Sequence, residues 1–228
     1  MLASLAQKQI DNKKIDNKKI DNTQTASSLM DALDSRLDHW LVVDSTRAED
    51  AMELAYTHEK QPELQKLFVN SPFEYLLEQS PVIFRISANS ELLNVWQQSA
   101  IWRTSGVLFS TPKGTDVLAE GGLIEHLQAL MRVKITGKVI LFRFYSSKIW
   151  QSVACDLSVN DIHTLLGPAV SLSWIDKQQN MQSLSSASQS LSDSETRARS
   201  ANLIDSSEIW VAPPTPYVLQ SSVWTKWI

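Results

Sequence analysis

The chain reads as an α/β domain: a single mixed sheet with flanking helices, between a disordered N-terminal tail and an extended or helical C-terminal tail. Three observations predict it. Over residues 38–176, short apolar or alternating runs take turns with stretches of helical period. Within that span, Leu123 to Tyr145 switches from one period to the other. Leu123, Ile124, Leu127, Leu130 and Met131 mark a helix face; Val133 and Ile135 then alternate with Lys134 and Thr136, and Gly137-Lys138 supplies a hairpin turn. Third, 43% of the 228 residues are hydrophobic, enough for a sizeable core.

The chain divides into four parts. Residues 1–25 repeat Ile-Asp-Asn-Lys-Lys from Ile10. A period of five matches neither helix nor strand, and Asn and Asp disfavour a helix interior, so this part reads as a disordered tail. Residues 26–176 are the α/β domain. Leu29, Leu33, Leu37 and Trp40 predict a first helix capped by Ser27 or Ser28, leading into a strand at Trp40–Val43 that Asp44 closes. Thr46 and Glu49 fit a capping box for a helix reaching about His58. A short apolar segment spans Leu64 to Val69, and a helix follows Pro72. Further elements are a strand at Pro81–Ile86, a helix from Ser90 to Ile101, a strand at Gly106–Ser110, and the helix and hairpin already described. Val139 to Tyr145 is almost wholly apolar and predicts a strand covered on both faces. Short helices follow at Ile149–Val153 and Ser158–Leu166, the second stopped by Gly167-Pro168. Val170 to Ile175 completes the sheet.

Residues 177–207, rich in Ser, Gln and Asn, suit a linker, with an irregular helix as the rival. Residues 208–228 are apolar again. Trp210, Pro214, Tyr217, Trp224 and Trp227 suit an apolar groove, either on this domain or on a partner.

Composition bounds the function. A net charge of −4 argues against a general nucleic-acid binder. Cys155 is the single cysteine, so no intramolecular disulfide and no cysteine-based zinc site can form. No apolar run reaches membrane-span length and no secretory signal pattern stands at the start. A soluble cytoplasmic protein is the expectation, with no membrane and no nucleic-acid partner.

Catalytic signals are thin. With six glycines, no phosphate-cradling loop is available, and no nucleophile-elbow pattern appears. His39, His58, His126 and His163 are scattered and predict no metal site; no cofactor is expected. Asp44 fits the entrance of a helix better than an active site. His126 suits a partly buried ring bonded to a backbone carbonyl rather than a general base. Ser110 has no visible base. Arg143, between Phe142 and Phe144, predicts a buried guanidinium tied to Asp44 or Glu125, so that Arg143→Ala costs stability first. An enzyme reading, a small hydrolase using Asp44, His126 and Ser110, is the alternative to a binding protein.

Four segments carry a family resemblance over roughly residues 38–176. They are His39-Trp-Leu-Val-Val-Asp44, Gln79-Ser-Pro-Val-Ile83, Gly106-Val-Leu-Phe-Ser110, and the set Glu125-His-Leu-Gln128, Leu141-Phe-Arg-Phe-Tyr145 and Leu166-Gly-Pro168. In this order they resemble the type VI secretion effector adaptor/chaperones, catalogued as a domain of unknown function. Trp40, Asp44, His126, Arg143 and Tyr145 fall on the family motif. The chain departs from it at Gln128, where Arg is usual, at Ser146-Ser147 in place of Asp-Pro, at Lys148 where Arg is common, and at Thr104-Ser105 in place of Trp. The resemblance implies a non-enzymatic cytoplasmic adaptor that binds a type VI effector (a toxin protein) and helps load it onto the spike protein of the secretion tube. The domain would then serve the spike or a shared effector feature, and the tail the individual effector.

Overall fold

The computed structural model describes residues 33–87, 89–185 and 215–227. The tail expected at 1–25, most of the first expected helix, and Trp210 and Pro214 lie outside the described residues.

Strand β1 (Leu37–Val43) is the spine. Its side chains alternate: Trp40 and Val42 enter one core, Leu41 and Val43 the other. A strand buried on both faces reads as a continuous apolar run, which is why its sequence lacks polar alternation. Leu37 and Trp40 belong to this strand, not to a helix. Around β1 assemble β2 (Leu64–Lys66), β3 (Val82–Ile86), β4 (Gly106–Pro112), β7 (Ser171–Ile175) and β8 (Met181–Ser185), in the order β2-β3-β1-β4-β7-β8. Every neighbouring pair is antiparallel. β8 takes up the start of the span expected as linker or irregular helix.

The mixed α/β class is as expected, but the strands divide between two sheets. The second holds β5 (Arg132–Ile135), β6 (Lys138–Leu141) and β9 (Tyr217–Leu219), ordered β6-β5-β9. β5 and β6 are antiparallel across the Thr136-Gly137 turn, where both residues have positive φ; β9 joins parallel to β5. A two-residue turn with positive φ at both positions matches the natural twist of a hairpin.

Helices cover both faces of the large sheet, giving three layers. On one side lie α1 (Ala51–His58), α2 (Glu91–Gln98) and α3 (Ala100–Ser105). On the other lie α4 (Leu123–Leu130), α5 (Ser147–Val153) and α6 (Val159–Leu166), together with the small sheet and a 3-10 turn at Ser222–Trp227. The helix expected from Ser90 to Ile101 is broken at Ser99. Ser90 and Ser99 each accept a backbone N–H of the helix that follows, so each starts its own helix. α1 begins later than the capping-box pattern suggests, because Asp44 takes over the turn: its Oδ1 accepts the Thr46 backbone N–H at 3.1 Å and the Thr46 hydroxyl at 2.6 Å. The segment after Pro72 is a 3-10 stretch, Glu74–Gln79.

Candidate functional site

The motif residues divide into four buried inside the fold and one that faces solvent. Trp40 is buried in the core that the small sheet shares. Asp44 is buried at the end of β1 and spends its carboxylate on Thr46. Tyr145 is buried too. Burial pushes its hydroxyl up to about 12, the Asp44 charge adds to that rise, and Arg143 opposes it.

His126 is fully enclosed. Its Nε2 lies 3.1 Å from the Leu165 carbonyl and its Nδ1 3.3 Å from the Tyr217 hydroxyl. A carbonyl can only accept, so Nε2 carries the proton and the tyrosine donates to Nδ1. Burial holds the imidazole down at about 4, with the Leu165 carbonyl opposing. The ring stacks on Tyr217 at 5.5 Å. Gly167 also adjoins the ring, at φ +57°, where an added Cβ would stand 2.5 Å from it. The expected carbonyl bond is there, but the ring is buried fully and not in part.

Arg143 corrects the sequence reading. It is exposed, while Phe142 and Phe144 on either side are buried. β6 ends at Leu141, and the ladder closes with the Phe142 N–H donating to the Met131 carbonyl at 2.8 Å. Beyond it the chain still alternates inward and outward, and the guanidinium takes an outward position that needs no buried acid. The run that looked covered on both faces is covered on one: Val139 and Leu141 are about half exposed, at 49% and 52%.

The described part of the C-terminal segment takes the first of its two expected placements, on this domain, which corrects the assignment of Tyr217 and Trp224 to a partner. Tyr217 and Trp224, expected in a groove on this domain or on a partner, are core residues of this domain, each 1% exposed. The cause is Asp161, buried in the first turn of α6. Its carboxylate accepts the Trp224 indole N–H at 2.7 Å, the Ser221 N–H at 2.8 Å and the Gln220 N–H at 2.9 Å. Trp224 then packs edge-on to Phe142 at 5.6 Å. Trp227 closes the final 3-10 turn.

The hydrolase trio is not assembled. Asp44 adjoins Ser105 at the start of β4, its N–H donating to the Ser105 carbonyl at 2.9 Å, whereas Ser110 lies four residues beyond Gly106 on that strand, roughly 13 Å along. His126 bonds to neither. Ser110 does have a histidine, which the sequence reading missed: it stands opposite His39 in the β1–β4 register, 2.9 Å from Nδ1. The His39 Nε2–H donates to the Asp34 carbonyl at 3.0 Å, so the serine donates to Nδ1. Both side chains are buried, and the pair ties two central strands together. Among the described residues, no group of three His, Cys, Asp or Glu is placed to hold a metal ion, and no helix is long and apolar enough to cross a membrane.

Two open surfaces among the described residues adjoin the motif segments. A groove of about 690 Å³ runs between Pro72, Phe73, Ala129 and Pro216, with Glu125 and Arg132 at its polar side. Gln128, one departure from the family motif, lines it too, its amide donating to the Leu67 carbonyl at 3.0 Å and the Val69 carbonyl at 2.9 Å. The second surface is the solvent face of the small sheet, carrying Arg132, Lys134, Val139, Leu141 and Val218. Sequence reasoning missed Asp161, Gly167 and this face. Asp161 had a local signal, three residues after the Ser158 cap, but its partners lie some sixty residues away. The face had a stronger one: residues 126–155 contain five basic residues and no acid.

Compared with known proteins, residues 39–164, more than half of the chain, match the family described as Domain of unknown function (DUF4123). No curated protein and no solved structure matches the chain.

Proposed function

The chain belongs to the family of the domain of unknown function DUF4123, and from that premise we propose that it is a non-enzymatic adaptor. In this reading it binds a type VI secretion effector in the cytoplasm and helps load it onto the spike protein of the secretion tube. The observation that carries the reading is where the polar motif residues direct their bonds. Asp44 and His126 hold a turn and a helix junction inside the fold, while the outward side offers a groove and a partly apolar sheet face. Surfaces of that kind suit contact with another protein. Trp210 and Pro214, outside the described residues, and Trp227 remain candidates for contacting the individual effector.

The test is to tag the full chain in its native host, identify what co-purifies, and delete the gene. The adaptor reading expects one toxin and the spike protein to co-purify, and secretion of that toxin alone to stop. Normal secretion of every effector in the deletion strain would overturn it.

A further inference from the structure

We propose that the free edge of β6 is the docking site for an extended segment of a partner protein in which apolar residues alternate with acidic ones. The inference rests on the adaptor reading and adds the place and the chemistry of the contact.

The edge comes first. In the hairpin, Ile135 faces Lys138, Lys134 faces Val139 and Val133 faces Ile140. With a two-residue turn, the pair flanking the turn exchanges both hydrogen bonds, and bonded and non-bonded pairs then alternate. The Phe142 N–H bonding to the Met131 carbonyl keeps the same phase. Val139 is therefore a non-bonded position, and so is Leu141. Their N–H and C=O groups point away from β5, and no strand among the described residues pairs with β6 on that side. An edge of this kind, open and bearing two half-exposed apolar side chains, is a template for strand addition.

The chemistry of the face says what would add. Val139, Lys134 and Val218 form one row across the small sheet, and Leu141 and Arg132 form part of the next. Apolar side chains thus sit beside cations. The nearest acid in the preceding helix, Glu125, accepts the Gly121 N–H at 2.7 Å. None of the ion pairs among the described residues involves Arg132, Lys134, Lys138 or Arg143. This basic strip belongs to a chain of net charge −4. A strand laid along β6 would send alternate side chains to opposite faces: its valines or leucines pack beside Val139 and Leu141 on the solvent face, and its glutamates or aspartates fall on the other face, in the row of the unpaired, exposed Lys138. A second copy of this chain would fit poorly, because edge-to-edge pairing of two β6 strands brings Lys138 and its neighbours against their own like charges.

The experiment uses isotopically labelled full-length protein and two short blocked peptides, one of alternating valine and glutamate, the other of alternating valine and lysine. The expected result is that the glutamate peptide binds, slows hydrogen exchange at the Val139 and Leu141 amides, and weakens at least about tenfold between roughly 50 mM and 500 mM salt. The double variant Lys134→Glu, Lys138→Glu should lose that peptide and gain the lysine peptide. Equal binding of both peptides to the unaltered protein, or no binding of either, overturns the proposal. So does protection of the Val139 and Leu141 amides in the free protein, whether independent of concentration, which puts another part of this chain on the edge, or rising with it, which puts a second copy there. Failure of the adaptor reading looks different: the peptide result would stand while effector secretion in the deletion strain stayed normal.

Discussion

At the scale of single residues, His126 and Gly167 explain each other. The backbone at Gly167 has φ +57°, and the space a Cβ would take is filled by the His126 ring. Gly167→Ala therefore carries backbone strain of about 1–3 kcal/mol and an overpacked contact besides. Urea unfolding should show a loss of more than about 2 kcal/mol, and a near-neutral result would mean the two segments do not meet. The histidine also sets a pH dependence. Its folded-state value is held near 4 by burial, against an ordinary 6.5. Between those values the unfolded chain binds a proton that the folded chain refuses, so stability falls as pH drops from about 6.5 toward about 4. Full passage through that window removes about 3 kcal/mol. His39, also lowered by burial ahead of the opposing Asp34 contacts, adds in the same direction. Denaturant midpoints measured across this window should fall less steeply in His126→Gln than in the natural protein. Arg143→Ala, in contrast, truncates an exposed side chain, and its unfolding free energy should stay within about 0.5 kcal/mol.

At the scale of elements, one carboxylate holds the chain's end to α6. Asp161→Ala leaves three donors without their acceptor, the buried Ser221 amide and Trp224 indole and the partly buried Gln220 amide. The cost should reach about 3–5 kcal/mol, with early proteolysis after residue 215 as the visible sign; resistance equal to the natural protein would remove Asp161 from this role. This junction also marks what the sequence could and could not disclose. The strands at Trp40–Val43, Pro81–Ile86 and Gly106–Ser110 were readable because buried strands announce themselves as apolar runs. The break at Ser99 was not, since Ser90 to Ile101 keeps one helical period throughout. Burial on both faces was inferred for Val139–Tyr145 from apolar content alone, yet Phe142 and Phe144 bracket Arg143 in plain alternation, the pattern of one covered face. Of the candidate site, the carbonyl bond of His126 was legible and its full burial was not. The Ser110–His39 pair was not, because only the strand register brings positions so far apart together.

At the scale of the whole molecule, the question is where the domain ends. By composition, the apolar segment at 208–228 looks detachable behind a polar linker, and its removal would then be a clean test of partner binding. The architecture argues otherwise. β9 is a strand of the small sheet, with Tyr217, Leu219 and Val223 in the core and Trp224 packed edge-on against Phe142. Loss of a buried aromatic alone costs about 3–5 kcal/mol, and a domain holds only about 5–15 kcal/mol in all. Deleting residues 208–228 should therefore abolish cooperative unfolding, seen as a broad, low-amplitude transition by circular dichroism. A truncated chain that still unfolds cooperatively near the full-length midpoint would return the segment to the status of a tail. If the transition is lost, any loss of effector binding in that deletion reports unfolding. The contact surface must then be mapped by charge reversal on the exposed face of the small sheet, where side chains change and the core does not.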